Sequence, residues 1–347
     1  MDRTLRQLQE QAGATFEEDS TIPASFGNDS DAIAAATTRV VLCDRSHWGL
    51  LELTESDRTR FLHNQTTNDI QSLKPGQGCD TVIVTSTART IDLATIYITQ
   101  ESILALVSPG QVPRLIEWFD GYLFPMDRVT LKDVSDKFAI FNLIGPGSDA
   151  ILQQWGNGAI ASQPNRSHQL VQLDDVEIRI AVGSGLALPG YTLIVPLDNA
   201  AKVWSKILEA EAMPLGDRAW EQLRIRQGRP KCDRELTDTY NPLEAGLWDY
   251  ISFDKGCYIG QETIARLNTY KGVKQRLWGI RLSVPVAPET EITADGSKVG
   301  ILTSVVETPE GTLGLGYVRA KAGGEGLTVK VGEAEGEIIA VPFLSHP

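Results

Sequence analysis

One short plan is written twice in this chain. An apolar strand (Leu50-Leu51-Glu52-Leu53, later Phe138-Ala139-Ile140-Phe141-Asn142-Leu143) leads to a Ser-Asp pair and then to a helical segment. The pairs are Ser56-Asp57 and Ser148-Asp149, and short side-chain oxygens of this kind suit a helix start. In the first copy the helix runs through Phe61-Leu62. Strands Thr81-Val82-Ile83-Val84-Thr85 and 91–99 follow, paired around Thr87-Ala88-Arg89, then Ile103-Leu104-Ala105-Leu106-Val107. Val112, Leu115, Ile116 and Phe119 then form a helical face, with Pro113 tolerated in its first turn. In the second copy a short helix passes Ile151-Leu152, strands follow around 176–180 and 191–195, and a helix capped near Asp198 carries Val203, Trp204, Ile207 and Leu208. Either the chain holds an internal pseudo-repeat, or two sheet-and-helix units are alike by chance.

Upstream, Leu5, Leu8 and Ala12 predict a short amphipathic helix, residues 14–39 read as a polar surface excursion, and Val40-Val41-Leu42 opens the first sheet. From about Lys274 short strands alternate with glycine turns at Asp295-Gly296, Glu310-Gly311, Gly323-Gly324 and Gly336. Leu277-Trp278-Gly279-Ile280-Arg281-Leu282 opens this region and Ile338-Ile339 nearly closes it, which predicts a small β-barrel. The expected organisation is a helix and extension (1–39), one α+β unit (40–136), a second (137–273) and the barrel (274–347).

A chain of 347 residues buries a large core, and its 42% hydrophobic and 22% charged content is that of a globular protein. No apolar run approaches the roughly 20 residues of a membrane helix. The stretch Met1-Asp2-Arg3-Thr4-Leu5-Arg6-Gln7-Leu8 lacks the apolar core of a secretory signal, so a cytoplasmic protein with no membrane partner is expected. A net charge of −13 argues against strong non-specific nucleic-acid binding. Two basic blocks stand out. One holds Arg266, Lys271, Lys274, Arg276 and Arg281; the other holds Arg218, Arg224, Arg226, Arg229, Lys231 and Arg234 against Glu221 and Asp233. They read either as solvated faces or as a local anion site. Cys43, Cys79, Cys232 and Cys257 show no CxxC spacing, so neither a disulfide framework nor a tightly bound metal is expected. His47, His63, His168 and His346 sit far apart in sequence.

Chemistry concentrates in Lys255-Gly256-Cys257-Tyr258-Ile259-Gly260-Gln261-Glu262. The two glycines allow tight turns or close approach. A helix is expected to start after Gly260, with Glu262 in its first turn where the macrodipole favours an acid. A thiol between a lysine and a helix N-terminus is held partly as thiolate; the plainer alternative is a small packed cysteine at a corner.

This octapeptide resembles the signature of the YgfZ-like folate-binding proteins, a branch of the glycine-cleavage T-protein (aminomethyltransferase) superfamily tied to iron–sulfur cluster maintenance. The likeness extends through Leu223-Arg224-Ile225-Arg226-Gln227-Gly228-Arg229-Pro230, Asn241-Pro242-Leu243-Glu244 and Phe61-Leu62-His63-Asn64-Gln65-Thr66-Thr67-Asn68-Asp69. It implies an α+β fold of two interlocked sheet-and-helix units with a C-terminal barrel around a ligand cavity. It further implies tetrahydrofolate or a derivative as ligand and iron–sulfur client or assembly proteins as partners of a monomer. Folate needs an acceptor for the pterin edge, apolar walls and cations for its carboxylates. Candidate contacts are Asp92, Tyr97, Tyr191, Arg224, Asn68 and Asp69, with Cys257 and Lys255 as the reactive pair.

By the same resemblance Asp92 falls where aminomethyltransferases carry two adjacent aspartates, but here Leu93 follows it. Ser108-Pro109 stands in place of an Asn-Ala pair, and Leu188 near the place of a pterin-binding glutamate. The departures favour an accessory factor for iron–sulfur proteins over a one-carbon transferase. A folate-free scaffold is the third reading.

Overall fold

The computed structural model describes residues 4–270, 272–308 and 311–347; Lys271 of the first basic block, Glu310 of a predicted turn and the first three residues lie outside them. The chain divides into two compact units. One is Met1–Thr59, Ile70–Cys79 and Thr95–Glu221; the other is Arg60–Asp69, Asp80–Ala94 and Gln222–Pro347.

The first unit contributes strands to two sheets. In one the spatial order is Gly78–Val84, Thr90–Ile98, Ile103–Val107, Gly49–Thr54, Thr130–Asp133. In the other it is Met213–Leu215, Val41–Asp44, Phe138–Ile144, Gly190–Pro196, Val176–Val182, His168–Leu173. Each sheet grows from a strand, a helix, three antiparallel strands and a second helix. In both, the first strand of the plan lies beside the last. The repeat read from the sequence is therefore topological as well as textual. Ser148 is the first residue of its helix and donates from Oγ to Gly145 O at 2.7 Å.

The core of this unit gathers around Trp204, which is fully buried, stacked on Phe26 and edge-on to Phe141. Residues 14–39 are not the surface excursion expected. Asp29–Thr38 is a helix burying Ala32, Ile33, Ala35 and Ala36. Small alanines carry little hydropathy signal, yet they let a helix pack closely. Three strands of these sheets were also missed, one of them the three-residue Met213–Leu215. Thr130–Asp133 is a polar edge, and His168–Leu173 breaks the alternation with glutamines.

A smaller cluster (Leu50, Tyr97, Leu104, Leu106, Val134, Ile140, Ala181, Ile194) draws on both sheets. Beside it His168 is buried, its ring edge-on to Tyr97 at 5.3 Å. Arg179 Nη1 lies 2.8 Å from His168 Nδ1. Arginine can only donate, so this imidazole is neutral with its proton on Nε2.

The second unit holds the predicted barrel, closed in the order Gln275–Leu282, Gly311–Arg319, Ser297–Thr308, Glu291–Ala294, Thr328–Val331, Ala334–Ile339. At Asp295-Gly296 both φ angles are positive, as a two-residue hairpin of this hand requires. Beside the barrel's own core lies a second cluster in which Tyr240 and Tyr317 stack at 3.4 Å. Under it sits a buried ion pair, Arg224 to Glu235 at 3.1 Å. Glu235 also accepts from the hydroxyls of Thr303 and Ser304 and from Lys231 N, and this network satisfies a carboxylate with no exposure.

Burial first, and then the Arg179 charge, push the His168 pKa down to about 4, against the backbone carbonyls of Gln77 and Ile98. An unfolded histidine titrates near 6.5. Between these values the unfolded chain binds the extra proton, so stability present above pH 6.5 is lost as pH falls toward 4. Urea unfolding at pH 7.5 and pH 4 should show wild type losing about 3 kcal/mol more than His168→Gln.

Candidate functional site

The segment Ser252 to Gly260 lies in the second unit and is pinned against residues 63–68 of that unit. Ser252 N donates to Thr67 O, Ile259 N to Asn64 O at 2.9 Å, and Thr67 Oγ1 to Tyr250 O at 2.8 Å. Lys255 is the centre of the arrangement. It is buried, and its Nζ reaches His63 O at 2.5 Å, Thr66 O at 2.8 Å and Asn68 O at 2.7 Å. An ammonium has three N–H donors, and here each meets a carbonyl. These oxygens belong to the last turn of the helix Arg58–Gln65 and to the turn after it, where helical carbonyls lack partners and the macrodipole is negative. The Tyr258 ring lies 4.8 Å from the charge. Tyr258 is itself buried, which pushes its phenol up to about 12.

The expected helix start is observed. Gly260 caps Gln261–Thr269 with φ 79°, and Glu262 lies in the first turn. A Cβ at Gly260 would stand 2.8 Å from Thr85 O, so glycine is needed there for both φ and space. At Gly256 a Cβ would meet nothing within 4 Å, so the close-approach reading applies to Gly260 and not to Gly256. Gln261 Nε2 reaches back to the carbonyls of Gly256 and Lys255 at 3.4 and 3.5 Å. Between these fixed points Cys257 is exposed. Cys43 and Cys232 are buried; burial above all pushes the Cys43 thiol up to about 12.

The other candidates fall in different places. Asn68 is held by its own turn: its N donates to Thr81 Oγ1, its Nδ2 to Asp80 O, and its Oδ1 accepts from Asp69 N, each at 2.8 Å. Asp69 Oδ1 is 3.3 Å from His63 Nδ1. Burial and then the Lys255 charge lower the His63 pKa, against Asp69. Asp92 is fully buried and accepts from Leu93 N at 2.9 Å. Its strand is buried along its whole length, which is why it shows no alternation. Tyr97 and Tyr191 belong to the first unit. Tyr97 packs on His168, while Tyr191 donates to Asp149 Oδ1 at 2.5 Å, and burial with that carboxylate raises its phenol pKa. Arg224 is committed to Glu235.

That last placement corrects one anion reading. In the second basic block Arg218 pairs with Glu17, 201 positions away, and Arg224 with Glu235, which stands just past the block. In the first block Arg281 pairs with Glu337 at 2.8 Å. Sequence reasoning also missed that the carbonyls of 63–68 receive Lys255. The signal available was the polar run after a short helix. Among the described residues no group of three His, Cys, Asp or Glu side chains could hold a metal ion, and no helix is long and apolar enough to cross a membrane.

The paired sheets and the closed barrel define an aminomethyltransferase-type fold. Over its whole length the chain superposes on glycine cleavage system aminomethyltransferase T from Bartonella henselae with a TM-score of 0.85, covering 99% of this chain and 97% of that one at 19% identity. Residues 5–255 match the model of the GCVT N-terminal domain, and the chain belongs to that family. It is 46% identical to the Arabidopsis thaliana protein named "Putative transferase At1g60990, chloroplastic", over 97% of this chain and 79% of that protein. It is 28% identical to the aminomethyltransferase of Geobacillus kaustophilus, over 93% of this chain and 92% of that enzyme. The family match ends at Lys255, so Cys257 lies just past it.

Replacing Lys255 by Met should cost on the order of 3 kcal/mol, since three charge-assisted bonds go and three carbonyls lose their donor. Lys255→Arg should not restore it, because a planar fork cannot serve three converging acceptors. Urea midpoints together with hydrogen exchange at the Ser252 and Ile259 amides test both variants.

Proposed function

We propose that this chain is a folate-binding accessory factor for the assembly or repair of iron–sulfur proteins, of the YgfZ-like branch, with Cys257 as its reactive thiol. One observation carries the reading: the exposed cysteine sits on a loop whose backbone is tethered on both sides. A thiol that only filled space would be buried like Cys43 and Cys232. A tethered and accessible one can attack a sulfur electrophile or exchange a metal-bound ligand at little entropic cost. Lys255 places a positive charge two residues away. In this reading tetrahydrofolate, or a derivative, is the small-molecule ligand. By the family resemblance Asp92 and Arg224 are the candidate contacts, and the glutamyl tail runs toward Arg266–Arg276. The partners are iron–sulfur clients or assembly proteins, the working form is a monomer and the compartment is the cytoplasm.

A second reading, a tetrahydrofolate-dependent one-carbon transferase, is favoured by the names of the 46% and 28% identical relatives. Against it stand Asp92-Leu93 in place of an acidic pair and Leu188 near the place of a glutamate. Aminomethyl transfer to tetrahydrofolate at a rate abolished by Asp92→Asn would establish this reading and remove the first.

Iodoacetamide should label Cys257 ahead of Cys43, Cys79 and Cys232, as mass spectrometry of timed samples will read out. Cys257→Ser should keep the wild-type urea midpoint yet abolish support of iron–sulfur enzymes in cells. Full cluster-enzyme activity in those cells would sink the thiol's role. For the ligand, each added glutamate on tetrahydrofolate should tighten binding by about 0.2–1 kcal/mol at low salt and not at high salt. Equal affinity for mono- and polyglutamates at low salt would remove the tail assignment.

A further inference from the structure

The first unit contains a cavity of about 710 Å³ that none of the chemistry above uses. It is lined by residues of both sheets. Glu52 and Leu104 come from one sheet, Phe138, His168 and Arg179 from the other, and Lys137 from the segment joining them. The volume is within the range of small-molecule sites, about 300–1,000 Å³.

Its charges are what make it unusual. Arg179 is half-buried, and among the described residues no carboxylate lies within ion-pair distance of it. Among the described residues its one side-chain hydrogen bond goes to His168, a neutral partner. Burial therefore pulls the Arg179 pKa down, and the nearby charge of Glu177 offsets this only in part. A guanidinium in such surroundings is short of an anion, and its fork geometry matches a carboxylate. The imidazole behind it holds the fork by accepting from Nη1 and is itself buried. Lys137 stands exposed at the same cavity, likewise without an ion pair among the described residues. Leu104, Val134 and Phe138 supply an apolar wall.

We infer that this cavity is a second ligand site, taking a small organic carboxylate whose head group pairs with Arg179 and whose carbon chain lies on Leu104, Val134 and Phe138. The site belongs to the first unit alone and does not rest on the folate reading. Glu52 and Glu101, also at the cavity, disfavour a second anionic group and so restrict the ligand to one carboxylate.

The test uses the full chain and three probes of matched size or charge: hexanoate, hexylamine and inorganic phosphate. Calorimetry gives affinity. The His168 ring resonance, assigned by its loss in His168→Gln, reports on the site. Hexanoate should bind one per chain and move that resonance, and Arg179→Gln should weaken it at least about tenfold. If Arg179→Gln fails to fold, Lys137→Glu at its exposed position decides, and there too hexanoate must bind more weakly. Three outcomes overturn the assignment: a His168 signal unmoved by hexanoate at millimolar concentration, equal binding of phosphate, or preference for hexylamine. Unchanged hexanoate affinity in Lys137→Glu does so as well.

Discussion

A buried ammonium is tolerable only where dipoles replace its water, and around Lys255 they do. The carbonyls of His63, Thr66 and Asn68 converge because a helix ends there and the chain turns immediately afterwards. Thr66 Oγ1 meanwhile takes up Leu62 O, leaving the outer carbonyls for the lysine. One side chain therefore settles two things. It closes the end of a helix, and it fixes residue 255 across 192 positions of sequence from His63. The Ser252 and Ile259 amide bonds hold the same loop at either side of it. The geometry of the Cys257 loop follows from these attachments and not from the thiol.

Much of this is legible in the amino-acid sequence. The repeated strand, helix and strand plan was read from apolar runs and Ser-Asp pairs, and the barrel from glycine turns, because period and turn chemistry are local. The start of the helix after Gly260 is local in the same way. Tertiary partners could not be read so easily. A lysine next to a cysteine suggests thiol activation, yet the Lys255 donors are spent on carbonyls that no side-chain pattern reveals. The arginine-rich block looked like an anion site because Glu17 and Glu235, which neutralise Arg218 and Arg224, lie far off or past a turn. The alanine helix Asp29–Thr38 escaped because its packing depends on small size, and size leaves no periodic hydropathy.

The four cysteines show how burial sorts chemistry that composition cannot. Cys43 lies in a fully buried strand, where loss of hydration raises its pKa and the thiol stays protonated. Cys232 is buried with its sulfur 3.5 Å from Ile91 O. Cys79 is intermediate in exposure and Cys257 alone is exposed. A reactive thiol needs access and a defined backbone together, and the Lys255 to Gln261 loop supplies both.

The same reasoning separates three cations that look alike in sequence. Lys255 is compensated by three carbonyl dipoles and Arg224 by a buried carboxylate that is itself fully hydrogen-bonded. Removing either partner leaves a charge or acceptors stranded, so both belong to the architecture of the second unit. Among the described residues Arg179 has a neutral imidazole as its hydrogen-bond partner and no ion pair, and it lines open volume. A cation whose charge the fold already answers has little left for a ligand, since binding would first have to break what stabilises it. A cation left short by the fold gains most from one. On that criterion Arg224 ranks below Arg179 as an anchor for an anion.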